Sequence, residues 1–64
     1  ADLMILKKHI GSLKEEYQIA IILKYFEGYS TRDIAHRLKK TENATRVLIH
    51  RSIKALQNLF EKKL

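Results

Sequence analysis

The segment Ser30-Thr31-Arg32-Asp33-Ile34-Ala35-His36-Arg37-Leu38-Lys39-Lys40-Thr41-Glu42-Asn43-Ala44-Thr45-Arg46-Val47-Leu48-Ile49-His50-Arg51 contains the main clue to the architecture. It reads as a short helix, a turn of about three residues, and the start of a longer helix. Ser30 with Asp33 three residues on forms a capping box that satisfies orphan N–H groups at a helix start. Ile34, Ala35 and Leu38 are the inward positions of the short helix. Thr41 suits the N-cap of the next one, because its hydroxyl can accept from an early backbone N–H.

At 100° per residue, the long helix from Glu42 to about Lys62 has two faces. Thr45, Leu48, Ile49, Ser52, Leu56, Leu59 and Phe60 fall on one side. Asn43, Arg46, Val47, His50 and Lys54 fall opposite, with Arg51 flanking them. The inward side should pack on Ile34, Ala35 and Leu38, with Ala35 small because the helices cross closely there.

Two further helices precede this pair. The first spans about Asp2 to Ile10, with Leu3, Leu6 and Ile10 at helical spacing. Gly11 suits the left-handed position after its end. Ser12 with Glu15 is a second capping box, opening a helix that Gly28 ends. Ile19, Ile22, Leu23 and Phe26 form its apolar stripe, and Tyr17, Ile21 and Tyr25 lie on the other side. The spacing predicts an all-α, small four-helix domain containing a helix-turn-helix. Its expected core is Ile19, Ile22, Leu23, Phe26, Ile34, Ala35, Leu38, Leu48, Ser52 and Leu56.

Sixty-four residues allow one domain. The absence of cysteine excludes disulfides and cysteine-based zinc sites and fits a reducing cytoplasm. With no proline and two glycines, an all-β domain is poorly supplied with turns. No apolar run reaches membrane-span length, and no signal peptide is visible. The chain starts at Ala1, as a fragment of a longer protein would.

The net charge of +6 is unevenly placed. Residues 39–64 hold seven Lys/Arg against Glu42 and Glu61. A focused basic segment points to a polyanion, where a solvated lysine-rich face would be the bland reading. The long helix has the shape to enter a major groove. Arginine can bond guanine O6 and N7 bidentately, histidine and asparagine can meet base edges, and Val47 can contact a thymine methyl. The helix start at Thr41 suits a phosphate.

The segments Leu13–Tyr17, Leu23–Ser30, Asp33–Ala35 and Lys40–Arg51 together resemble region 4 of bacterial RNA polymerase sigma factors. The nearest type is the extracytoplasmic-function group. The resemblance covers roughly Ser12 to Leu59, with the segments in family order and spacing. It implies recognition of the −35 promoter element in double-stranded DNA while docked on the polymerase β-flap, with an anti-sigma factor as a further partner. Base-reading would fall on Arg46, Val47, His50 and Arg51. From their own places in the chain, Lys39 and Lys40 in the turn, Lys54 further along the helix and Thr41 at its start are expected at phosphates, with Thr31, Arg32 and Asn43. Leu3, Leu6, Leu59, Phe60 and Leu64 would supply an apolar docking surface, or else close the domain's own core. The chain departs from the family pattern at Lys14, where proline is usual, at Lys39 and Asn43, where glycine is usual, and at Thr45, where an apolar residue is usual. In a left-handed turn, lysine costs about 1–2 kcal/mol.

Other classes fare less well. Ser30, Asp33 and His36 are triad-like in type, but no second element orients a base, so no enzyme is expected. His9, His36 and His50 lack the i,i+4 spacing of a helical metal site, so surface or groove-facing histidines are expected and no cofactor. A membrane-surface helix is disfavoured because the apolar face of residues 42–62 is needed to cover the other helices. The C-terminal domains of LuxR-type regulators share the architecture and remain the alternative, and a protein-interaction module is another.

Overall fold

The computed structural model describes residues 2–61, with side chains described for residues 4–61. Four helices run in order: α1 (Asp2–Gly11), α2 (Glu15–Ile21, running on into a π-helical turn at Ile22–Phe26), α3 (Thr31–Leu38) and α4 (Glu42–Glu61). Among the described residues there is no strand. The all-helical expectation therefore holds, and α4 is the element against which α1, α2 and α3 all pack.

The centre of the core is Ala20, Ile34, Leu48 and Ile49, with Tyr17, Leu23, Tyr29 and Leu38 packed around it. Thr45 and Ser52 are also fully buried, two turns apart on α4. Each is small enough for neighbouring helices to approach, and each satisfies its own hydroxyl. Thr45 Oγ1 donates to the Thr41 carbonyl at 2.8 Å, and Ser52 Oγ donates to the Leu48 carbonyl at 2.7 Å. Bonding to the i−4 carbonyl lets a hydroxyl be buried without leaving an unpaired polar atom.

The turn between α3 and α4 is closed by the backbone. Ser30 caps α3, its Oγ accepting from Asp33 N at 3.1 Å. At the other end Lys39 takes the left-handed conformation, φ 56° and ψ 44°. Lys40 N–H donates to Ala35 O at 2.9 Å and Lys39 N–H to His36 O at 3.3 Å. This is the Schellman arrangement, usually built on glycine. Thr41 then starts α4, its Oγ1 accepting from Ala44 N at 3.0 Å.

Four expectations are corrected. Gly11 is the last residue of α1, and the glycine with positive φ is Gly28, at 78°. Ser12 does not cap α2: its hydroxyl turns back to the Lys8 carbonyl at 3.2 Å. Instead α2 begins after Lys14, without a side-chain cap. Lys14 sits at φ −57°, an angle proline supplies through its ring. The stripe expected inside on α2 is also turned. Ile19, Ile22 and Phe26 are substantially exposed, while Ala20 and Ile21 are buried. A helix apolar on nearly every side cannot reveal its inward face by periodicity alone. Here small Ala20 admits α4. The π-turn, with Glu27 N–H donating to Ile22 O at 2.9 Å, rotates the residues after it. Finally, His9 is buried, not on the surface. Its ring stacks on Phe60 at 4.5 Å between centroids and its Nδ1 lies 2.8 Å from the Ile5 carbonyl.

This packing makes two changes in stability predictable. Leu48→Ala should cost about 2–5 kcal/mol as a buried large-to-small change. An unaltered thermal midpoint would show that Leu48 is not core. Lys39→Gly should relieve left-handed strain and raise the midpoint by a few degrees, about 0.5–1 kcal/mol net of glycine's greater chain entropy. A lower midpoint would show that this turn does not hold Lys39 in that conformation.

Candidate nucleic-acid interface

The inward packing of α4 determines what it shows outside. With Thr45, Leu48, Ile49 and Ser52 buried, Arg46, Val47, His50, Arg51 and Lys54 are exposed. Asn43 and Glu42 are exposed in the first turn. The four residues expected to read bases thus share the outer side of the N-terminal half of α4. Val47 has 42% of its surface exposed, in the middle of a polar face. An isolated apolar residue there offers contact to a base methyl without enlarging an apolar patch.

Two hollows extend this face toward α3 and α2. One, of about 610 Å³ and open to solvent, is lined by Arg32, Asp33, Ala35, His36, Lys40 and Glu42. The other, of about 310 Å³, has Tyr17, Lys40, Val47 and Arg51 in its lining. Lys40 lines both, so the two hollows adjoin there, with Glu16 also in the lining of the second. The remaining expected phosphate-binding residues spread along their margins. Thr31 is half-buried in the first turn of α3, while Lys39 and Thr41 are exposed in the turn. Lys54 is exposed two turns beyond Val47.

The face carries one ion pair. Arg46 Nη2 lies 3.6 Å from Glu42 Oε1, across one helical turn. The sequence reading did not single out Glu42, although its i,i+4 spacing to Arg46 was the available signal. His36 and Tyr17, which line the hollows, were not picked out for the site either. On the flank, the Arg37 guanidinium lies 4.0 Å over the Tyr29 ring. That cation–π contact ties the end of α3 to the loop after Gly28.

The apolar residues expected to dock a protein are distributed differently. Leu3's side chain and Leu64 lie outside the described residues. Leu6 lines a wholly apolar hollow of about 230 Å³ with Ile10, Ile21, Tyr25, Phe26, Ile53 and Leu56. Leu59 lines a separate hollow with Lys8, His9 and Ser12. Phe60 is 42% exposed and covers His9 with its ring. Among the described residues, no helix is long and apolar enough to cross a membrane.

Comparison with known proteins agrees with this architecture. The family model of sigma-70, region 4, matches residues 3–56. No curated protein and no solved structure matches. The family match decides between the two helix-turn-helix readings and sets the LuxR-type alternative aside.

Binding to duplex DNA should weaken steeply with salt. If about four phosphates are neutralised, log K should fall against log salt with a slope near −3.6. An anisotropy titration showing no salt dependence would remove the electrostatic part of this interface.

Proposed function

The chain belongs to the sigma-70 region 4 family, and on that premise we propose which of its residues do the family's work. A region 4 domain binds the −35 promoter element and the RNA polymerase core in transcription initiation. It is a DNA-binding module without enzymatic activity.

In the proposed complex, α4 enters the major groove by its N-terminal half. Arg46, Val47, His50 and Arg51 meet base edges. Arg32, Lys39, Lys40 and Lys54 hold phosphates, with Thr31, Thr41 and Asn43 adding polar contacts at the helix starts. The observation that carries this reading is the burial of Thr45, Leu48, Ile49 and Ser52, which leaves Arg46, Val47 and His50 facing away from the domain. Phosphate contacts fix register and orientation, and base contacts supply sequence.

The polymerase contact is proposed for the apolar surface around Leu6, with Leu59 and Phe60 on the neighbouring end of α4. Its chemistry suits the β-flap or an anti-sigma factor. A hollow lined by aliphatic and aromatic side chains alone takes an apolar helix face in preference to a polyanion. The extracytoplasmic-function subtype is proposed on the residue-level likeness of Leu13–Tyr17, Leu23–Ser30, Asp33–Ala35 and Lys40–Arg51 taken together. Residues 1–64 would then act as one region 4 unit in the cytoplasm, where promoter DNA and polymerase meet.

Site selection with Arg46→Ala and Lys54→Ala separates readers of bases from holders of phosphate. Arg46→Ala should cost about 1–3 kcal/mol on the cognate site and relax one position. Lys54→Ala should weaken all sequences alike and reduce the salt slope by about one. Uniform loss in both, with the preferred sequence unchanged, would make this face an electrostatic anchor only. For the docking surface, Phe60→Ala should weaken capture by a β-flap fragment, and equal capture would take Phe60 out of it.

A further inference from the structure

We propose that Glu42 is a positioning residue that sets the base selectivity of Arg46, an inference that rests on the base-reading role given to Arg46. Cations outnumber acids in this chain by thirteen to seven, yet among the described residues the ion pair that forms is Glu42–Arg46. It forms on the outer face of α4. Arg32 and Lys40 line the same hollow as Glu42, but it is Arg46 that its carboxylate engages, at 3.6 Å.

The pairing has two physical effects. An unpartnered exposed arginine samples many rotamers and loses that freedom when it meets a base. At 3.6 Å, with both side chains more than half exposed, the Glu42 carboxylate attracts the guanidinium without a hydrogen bond and biases Arg46 toward rotamers lying along the first turn. The five N–H donors of the guanidinium stay free for the O6 and N7 of a guanine. The second effect is repulsive. Glu42 is the first residue of α4, where the helix approaches the polyanion. A guanine satisfies Arg46 beside the carboxylate. Any other base leaves the carboxylate facing negative charge with less to offset it. Glu42 therefore weakens binding to every sequence and weakens it most where guanine is missing, so part of the selectivity comes from rejecting wrong sites.

The test compares wild type, Arg46→Ala, Glu42→Gln and Glu42→Asp, using the 64-residue chain in competition anisotropy at low salt. The duplexes carry each of the four bases at each position of a −35 element. Thermal unfolding confirms that every variant folds. Wild type should prefer guanine about tenfold at one position, within the range of a bidentate contact, and Arg46→Ala should abolish that preference. Glu42→Gln keeps the shape and loses the charge. Glu42→Asp keeps the charge, the favourable helix-start interaction and an i,i+4 partner for Arg46. Glu42→Gln should cut the guanine preference to about threefold or less, leaving the other positions unchanged, and should bind non-guanine duplexes more tightly, while Glu42→Asp should keep most of the preference. If Arg46→Ala removes the preference but Glu42→Gln keeps it, the positioning role is overturned while base-reading by Arg46 stands. If Glu42→Asp loses it as Glu42→Gln does, the retained charge pair does not set the preference and positioning is again overturned. If Arg46→Ala leaves every preference unchanged, the base-reading assignment falls and Glu42's role falls with it.

Discussion

The contact of Leu48 and Ile49 with Ala20 and Ile34 fixes the rotation of α4 about its own axis. Everything at the proposed DNA face depends on that rotation. A turn of 100° separates successive residues, so a one-residue slip would bury Arg46 or His50 and expose Leu48. Ala20 contributes by being small and Ile34 by filling the space between helices. Thr45 and Ser52 extend the seam without adding bulk, since each hydroxyl is spent on its own helix. In a chain this short the core is thin, so few residues carry both stability and orientation.

One helix serves several surfaces. At 20 residues, α4 is about 30 Å long. Its N-terminal half carries the exposed cations and Val47. Its C-terminal half forms part of the apolar hollow through Ile53 and Leu56 and reaches α1 through the His9–Phe60 stack. The Lys39 turn sets the angle at which α3 meets this helix. Because that turn uses lysine in a conformation glycine adopts at less cost, the chain carries strain beside its most basic segment. In the proposed complex, DNA and polymerase hold two sides of the same helix, and the core between them keeps the sides in register.

Much of this was legible in the sequence because α3, the turn and α4 obey strong local rules. Ser30 and Thr41 cap as their chemistry dictates. Lys39 stands in the left-handed position where the family's glycine would be. The two faces of α4 separate cleanly, since charge and apolarity alternate there at helical period. The second helix was not legible in the same way. Residues from Ile19 to Phe26 are apolar on several sides, and the choice of face is made by the partner helices. A π-turn also breaks the 100° rule without any signal in composition. His9 was misplaced for a related reason: a histidine's burial depends on a neighbour such as Phe60, distant in the sequence. Glu42 was passed over because a lone acid at a helix start has an ordinary role there.

If the core turns the outer face of α4 toward DNA, that face should respond when DNA is added. Amide and side-chain NMR shifts of the 64-residue chain, followed during titration with a −35 duplex, would show this residue by residue. The largest changes are expected at Arg46, Val47, His50 and Arg51, with smaller ones at Arg32, Lys40 and Lys54, and little change at Ile10, Ile21 or Phe26. Changes concentrated around Ile10, Ile21 and Phe26, with Arg46 and His50 unmoved, would contradict the assignment of the DNA face to α4.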